Sequence, residues 1–356
     1  MKKLLCALLS LALLLSLFSG CAAPASPETP SESPWLPFFR GALWIEERES
    51  PYGEEKSGGG TLIPLRFSSE RLADYEKLPR IPYAKCTVGI RLDFTTSAPE
   101  ISFRYTVIEK FFDEILTEQM DAYVDGVQTA QFPVNFYSNK KGEVSLSLPE
   151  GNHRVTVYLP NWHSLALSEL SLGADAAPAA PSGKRYLILS DSIGQGLFST
   201  HTGETYINGL MRALDADFVN LSVGGEGFRP EALDELPYRP DRVLVSFGIN
   251  DYSFNQQDYN EPRFEQIEEN AVAYLEKVKA LYPEAELLVL TPFLEIHPAL
   301  QACIQSACER AGVRAVRGTD YFEESPSLLQ DGVHPNREGG LLLSERLLPL
   351  FEESWS

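Results

Sequence analysis

Three short stretches, far apart in the chain, carry residue types that could act together in catalysis. They are residues 190–193 (SDSI), 248–251 (GIND) and 331–334 (DGVH). Together they offer a hydroxyl nucleophile, an amide donor and a pair made of an acid and an imidazole, which suffices for cleaving esters. Each stretch alone is ordinary turn chemistry. Their order and their positions after apolar runs indicate a common role.

Ser192 is the candidate nucleophile and His334 is its candidate base. The hydroxyl of Ser192 attacks well only if a neighbouring base takes its proton. Among the five histidines, His334 is preceded three residues earlier by an acid, Asp331. The turn can hold the carboxylate against one ring nitrogen, so that the other faces Ser192. Alternatively, residues 331–332 form a surface turn and His334 is an accidental neighbour.

Three donors are expected to stabilise the oxyanion of an ester reaction. They are the backbone N–H of Ser192, the backbone N–H of Gly225 and the side-chain amide of Asn250. Each well-placed donor lowers the barrier by about 3 to 4 kcal/mol. Glycine suits a backbone that must approach the substrate. The residues leave Gly224 open as the donor in place of Gly225, and the glycines of residues 224–227 could simply form a flexible loop.

Two aspartates, Asp191 and Asp251, flank these catalytic positions. We expect them to accept backbone N–H bonds and hold the loops in shape, and not to act as a pair of general acid and base. The sequence has no CxxC motif and no cluster of histidines and acids at ligand spacing. We therefore expect no metal and no cofactor.

Strands and helices alternate after residue 184, which predicts a parallel sheet covered by helices on both faces. Helices are predicted over 264–282 and 341–351, where apolar residues recur at helical spacing. The predicted strands are residues 186–189, 218–221, 243–247, 286–290 and 313–316. Because ligands bind beyond the carboxyl ends of such strands, the loops of Ser192, Gly225, Asn250 and His334 should share one crevice.

The region from residue 35 to 172 alternates apolar and polar residues in short runs. The predicted strands are 87–94, 100–108, 120–124, 143–148, 153–158 and 165–170. Asp125-Gly126 is a preferred two-residue hairpin loop, and residues 150–152 mark another reversal. Residues 111–119 are predicted to be helical. Many short strands separated by turns indicate a β-sandwich or jelly roll.

The four blocks around Ser192, Gly225, Asn250 and His334 resemble those of the SGNH hydrolases, in the GDSL-like esterase superfamily. The resemblance covers residues 184 to about 351, and Gly-x-Asn-Asp with Asp-x-x-His-Pro carries most of it. Ser190 stands where the family usually has glycine, and serine is small enough for the turn. The fold implied is α/β, a flavodoxin-like three-layer parallel sheet, here preceded by an all-β jelly-roll or sandwich domain.

The whole chain is similar to two-domain carbohydrate esterases, which implies a serine esterase that removes acetyl groups from a carbohydrate. Trp162, Tyr252 and Phe254 could stack on sugar rings, or could simply pack. A lipase, lysophospholipase or thioesterase would use the same catalytic residues. A glycan-binding surface lipoprotein without activity is the other alternative.

The N-terminus indicates export. Lys2 and Lys3 precede an apolar run over 4–18, followed by Cys21. This resembles a bacterial lipoprotein signal, which implies lipidation of Cys21 and a cell-surface protein; secretion after cleavage near residues 22–23 is the alternative. The expected organisation is a signal (1–20), a Pro/Ser-rich tether (21–34), the β domain (35–173), a linker (174–183) and the catalytic domain (184–356).

The chain is strongly acidic. Its formal charge is −20, and loss of Lys2 and Lys3 with the signal would leave −22. Such a surface repels phosphate backbones and anionic lipids, so we expect neutral substrates, no nucleic-acid partner, and membrane contact only through the lipid anchor. Cys86, Cys303 and Cys308 are expected to be buried thiols.

Overall fold

The structure is a computed structural model that describes residues 33–51, 60–78, 81, 83–110 and 117–355. These residues belong to one compact unit, Ser31–Ser356. The predicted signal, Cys21 and the tether up to residue 32 lie outside the described residues. Among the described residues, no helix is long and apolar enough to cross a bilayer.

The N-terminal part of this unit is built from antiparallel strands. The strands are Phe39–Arg40 (β1), Trp44–Arg48 (β2), Thr61–Leu65 (β3), Arg91–Thr96 (β4), Glu100–Lys110 (β5), Glu118–Val124 (β6), Val127–Val134 (β7), Lys141–Ser147 (β8), His153–Tyr158 (β9), His163–Ser171 (β10) and Ala177–Pro178 (β11). One sheet has the order β1-β4-β9-β6-β7 with β11 on β4, and the other has the order β2-β3-β10-β5-β8. A helix, Ser69–Tyr75 (α1), follows β3.

Alternation of apolar residues explains why these sheets pack together. In β5, Ile101, Phe103, Tyr105 and Val107 are all buried, because every second side chain of a strand points to the same face. They join Leu92, Phe94 and Val155 of the first sheet in one core. The predicted β-sandwich is therefore confirmed.

The turn chemistry of this region is also as predicted at one hairpin. Val124 pairs with Val127 across Asp125 and Gly126, whose φ angles are +51° and +80°. Two positive φ angles are what the favoured two-residue hairpin turn requires. The helix predicted over 111–119 is wrong at its end, because Glu118 already begins β6 and is fully buried. Residues 111–116 lie outside the described residues.

The C-terminal part alternates strands and helices. The strands are Arg185–Ser190 (β12), Asp217–Asn220 (β13), Arg242–Ser246 (β14), Glu286–Leu290 (β15) and Arg314–Val316 (β16). The helices are Ser192–Gln195 (α2), Tyr206–Ala213 (α3), Ile249–Tyr259 (α4), Phe264–Leu281 (α5), Pro298–Ala311 (α6) and Arg337–Glu352 (α7). All paired strands are parallel, in the order β13-β12-β14-β15-β16. This is the flavodoxin-like order, and it confirms the predicted fold class.

Successive residues of the interior strand β12 point to opposite faces of the sheet. Leu187 and Leu189 share a core with α5 and α6, whereas Tyr186 and Ile188 share a core with α3 and α7. Both faces are thus covered, which is why the strand reads as a nearly continuous apolar run.

The segment expected to be a linker, residues 174–183, is packed against the β-sandwich. Ala177 and Pro178 form β11, paired with Thr95 and Phe94 of β4. The N–H of Ala179 donates to the carbonyl of Asp93 at 3.0 Å, and Ala179 is 3% exposed. This part of the chain is therefore held by the sheet and does not run free.

Candidate active site

Ser192 opens helix α2 at the carboxyl end of β12. Asp191 caps this helix, because its Oδ1 accepts the N–H of Ile193 at 2.9 Å. Ser190 is buried, and its hydroxyl donates to the carbonyl of Ser246 at 2.9 Å. A Cβ on Gly194 would overlap Ser190 and lie 2.6 Å from Ser222 Oγ. Serine at 190 is therefore accommodated by a residue without a side chain at 194.

His334 and Asp331 meet Ser192 as the sequence predicts. Nε2 of His334 lies 2.8 Å from Ser192 Oγ, and Nδ1 lies 2.8 Å from Asp331 Oδ2. Oδ1 of Asp331 accepts the N–H of Val333 at 3.0 Å and that of His334 at 2.8 Å. Partial burial opposes ionisation of Asp331, but its hydrogen bonds from the backbone and ring of His334 lower its pKa below the usual value. The carboxylate therefore accepts from Nδ1–H and leaves Nε2 free to accept a proton.

The imidazole of His334 is also held by an aromatic side chain. The ring of Phe198 lies edge-on to it, with centroids 5.2 Å apart, and packs against Trp162 at 5.8 Å. Phe198 has φ of +65°, a conformation that costs a bulky residue energy. Trp162 is 2% exposed and its Nε1 donates to the carbonyl of Gly196 at 3.1 Å. Trp162 thus packs behind the site, and the idea that it stacks on a sugar is wrong.

The loop after β13 distinguishes the two candidate glycines. The N–H of Gly224 donates to Oε1 of Gln195 at 2.7 Å, so it is already used. Gln195 is fully buried, and its Nε2 donates to the carbonyl of Asn161 at 2.9 Å. Gly225 is partly exposed and has φ of +84°, a conformation natural to glycine. Of the two, Gly225 has the N–H that can face a substrate.

Asn250 is brought to the same loop by helix α4. Its Nδ2 donates to the carbonyl of Glu226, the residue after Gly225, at 2.9 Å. An amide nitrogen carries two hydrogens, so one remains for a ligand. Ser192 is the first residue of α2, where backbone N–H groups have no partner inside the helix. The three predicted oxyanion donors are therefore connected by hydrogen bonds. Gln195, in the same helix as Ser192, accepts from Gly224 beside Gly225, and Asn250 donates to Glu226 on the other side.

Residues 191–340 match the model of the GDSL-like lipase/acylhydrolase family. The chain carries a GDSL-like lipase/acylhydrolase domain. A search of curated proteins gave no match.

Solved structures share the fold of most of the chain, including residues outside the GDSL-like domain. A salicylyl-acyltransferase from a tetracycline biosynthetic pathway is 20% identical with a TM-score of 0.68, and the match covers 91% of this chain and 94% of that one. A family two carbohydrate esterase from Clostridium thermocellum is 19% identical (TM-score 0.57; 82% and 98% covered). An acetyl xylan esterase from the rumen bacterium Butyrivibrio proteoclasticus is 16% identical (TM-score 0.56; 87% and 98% covered).

The aspartates next to the catalytic positions of the GDSL-like domain have structural partners. Asp191 caps α2, and Asp251 Oδ1 accepts the N–H of Phe228 at 2.9 Å. Burial raises the pKa of each to about 7, and for Asp191 the nearby charge of Asp251 adds to this. Their contacts to the backbone are those predicted from the sequence.

Two further histidines have acid partners that sequence spacing did not reveal. Nδ1 of His163 lies 2.8 Å from Glu118, and Nδ1 of His153 lies 2.6 Å from Asp125. Both pairs belong to the β-sandwich, and Glu118 also accepts the N–H groups of Asn161 and Trp162.

Cys86, Cys303 and Cys308 are free and buried, as predicted. Within the described ranges, no group of three or more histidines, cysteines and acids could hold a metal ion.

Tyr252, two residues after Asn250, packs against two other rings. Tyr252 stacks on Phe264 and on His297, with centroids 6.2 and 5.7 Å apart. Tyr252 and Phe254 are both partly exposed. The prediction that they stack on sugar rings stays a prediction.

Proposed function

We propose that the protein is a serine esterase that removes short acyl groups, acetyl foremost, from carbohydrates through an acyl-enzyme on Ser192. The observation that carries this proposal is the line of hydrogen bonds from Asp331 through His334 to the hydroxyl of Ser192, at 2.8 Å each. An alcohol, an imidazole and a carboxylate in this arrangement are what nucleophilic acyl transfer requires.

In the first half of the reaction, Ser192 Oγ attacks the ester carbonyl while Nε2 of His334 takes its proton. The new negative charge on the carbonyl oxygen is stabilised by the N–H groups of Ser192 and Gly225 and by Nδ2 of Asn250. The imidazolium, stabilised by Asp331, then donates its proton to the leaving alcohol. The C–O bond of the ester breaks and the acyl group stays on Ser192.

In the second half, water replaces the alcohol. Nε2 of His334 takes a proton from the water as its oxygen attacks the acyl-enzyme, and the same three donors stabilise the oxyanion. The bond to Ser192 Oγ then breaks and His334 returns the proton to it. The products are the free acid and the original enzyme.

A neutral carbohydrate ester is the substrate class that the available observations support best. Two solved proteins that share this fold are named as a family two carbohydrate esterase and an acetyl xylan esterase. The formal charge of −20 disfavours strongly anionic substrates by repulsion.

We also propose that the enzyme works at the cell surface, anchored by lipid on Cys21. A wild-type protein found in the detergent phase on fractionation, and a Cys21→Ala protein found in the aqueous phase, would support the anchor.

The decisive experiment measures acetate release from a panel of acetylated polysaccharides, with Ser192→Ala as the matched control. We expect kcat of this variant to fall on the order of 10⁶-fold, since the reaction loses its nucleophile. A comparison of aryl acetate with long-chain aryl esters tests the lipase alternative. Equal activity of the wild type and Ser192→Ala would reject the mechanism, and preference for long chains would reject the substrate.

A further inference from the structure

Arg66 of the β-sandwich is buried at the loop that precedes Gly225. It follows β3 and is 2% exposed. Its Nη1 donates to the carbonyls of Asn220 and Ser222, both at 2.8 Å. Its other nitrogens donate to carbonyls in the N-terminal part of the chain. Nε donates to the carbonyl of Cys86 at 2.9 Å, and Nη2 donates to that of Ala84 at 3.1 Å. One guanidinium thus binds two loops that are more than 130 residues apart in the chain.

The two carbonyls that Arg66 binds after β13, those of Asn220 and Ser222, are near Gly225 in the chain. Ser222 is three residues before Gly225. Between them, the N–H of Gly224 donates to the side chain of Gln195. The side chain of Asn220 donates to the carbonyl of Gly194 in α2 at 3.0 Å and accepts the N–H of Ser222 at 3.0 Å. The orientation of the 220–225 backbone therefore depends on contacts to α2 on one side and to Arg66 on the other.

The bonds of Arg66 are strong ones. Burial lowers its pKa to about 10, which still leaves it charged at neutral pH. Hydrogen bonds from a charged donor are stronger than those between neutral groups. A lysine could not replace it, since an ammonium has no planar fork of five N–H donors.

We infer that Arg66 is a positioning residue that fixes the Gly225 N–H for the oxyanion, so that the β-sandwich supplies part of the catalytic geometry. This inference rests on the proposed esterase function. It means that Arg66 acts through the loop and touches no substrate.

A second arginine provides a matched control. Arg91 is also 2% exposed and also reaches from the β-sandwich to the GDSL-like domain. It donates to the carbonyl of Ala216 at 3.3 Å, and its guanidinium lies 4.1 Å from the ring centroid of Phe218. Ala216 lies just before β13, whereas Asn220 lies at its carboxyl end. Arg91 therefore makes a similar contact at the opposite end of the same strand.

The test compares Arg66→Lys with Arg91→Lys, after wild-type activity and inactivity of Ser192→Ala have established the esterase. Thermal unfolding and the kinetics of 4-nitrophenyl acetate hydrolysis are measured for both, well below the melting temperature. We expect both to lose stability. Only Arg66→Lys should lose kcat, by about tenfold or more with KM within about threefold, since loss of a whole oxyanion donor costs about 10²–10³.

A folded Arg66→Lys with wild-type kcat would overturn the inference, as would an equal loss of kcat in Arg91→Lys. If Arg66→Lys does not fold, Arg66→Ala prepared with guanidinium ion replaces it. Restoration of kcat by guanidinium, and not by ammonium, supports the inference. A folded Arg66→Ala that is fully active without guanidinium contradicts it.

Discussion

The contacts of Asp331 predict that asparagine at this position is worse than alanine. One carboxylate oxygen accepts two backbone N–H groups, from Val333 and His334, and the other accepts from His334 Nδ1. In Asp331→Asn the side chain has one oxygen and one NH₂ group. The oxygen can face either the two backbone N–H groups or the ring nitrogen of His334, and the NH₂ group must face the other. The side that takes the oxygen decides the tautomer of the imidazole.

The backbone side should take the oxygen. Turning the amide the other way would lose two backbone hydrogen bonds, about 1 kcal/mol each, whereas one bond to the ring forms in either orientation. A difference of about 2 kcal/mol favours the first orientation roughly 30-fold. In that orientation the NH₂ faces Nδ1, so the proton sits on Nε2 and His334 cannot accept the proton of Ser192.

Asp331→Ala imposes no tautomer. It loses the stabilisation of the imidazolium, and because the Asp331 side chain is 38% exposed, water can replace part of it. We expect kcat/KM to fall on the order of 10²–10³-fold for alanine, less than the roughly 3 × 10⁴-fold known for a protease aspartate. For asparagine we expect a further loss of about 30-fold. Steady-state hydrolysis of 4-nitrophenyl acetate measures both, and an asparagine variant as active as the alanine variant would refute the reasoning.

Two further predictions concern the neighbouring loops. Asn250→Ala should lower kcat by about 10²–10³ with little change in KM, since its amide acts on the transition state; a change confined to KM would contradict this. Asp191 has a pKa of about 7 when folded, so the folded protein binds its proton between about pH 4 and 7 while the unfolded chain does not. Stability should therefore fall as pH rises through this window, by at most about 4 kcal/mol, and Asp191→Asn should flatten the fall in urea unfolding from pH 5 to 8. Parallel curves for the two proteins would exclude Asp191 as the source.

The sequence predicts the α/β sheet and the loops of Ser192, Asn250 and His334 well, because each of these residues follows or precedes an element with strong local periodicity. It predicts the β-sandwich less completely. Strand β3 (TLIPL) is buried along nearly its whole length, so it lacks the alternation that reveals a strand. The helix end at Glu118 was wrong because the residue's burial depends on contacts with Asn161 to His163, far along the chain.

The parts of the site that local patterns miss are those made by distant contacts. Gly225 is distinguished from Gly224 only through Gln195, a residue with no spacing signal of its own. Arg66 lies 154 residues from Asn220, and no motif connects them. The sugar contact predicted for Trp162 is wrong, because sequence alone does not tell a buried indole from an exposed one.

The contacts of Arg66 and Arg91 also affect how the chain responds to cutting. A protease that cleaves near residue 180 would sever the backbone and leave β11 paired with β4 in the N-terminal half. The nicked halves would stay associated through Arg66 and Arg91. A nick at this point would leave the 220–225 loop held by Arg66. For the same reason, separate expression of the two halves should yield fragments that recover function only when mixed.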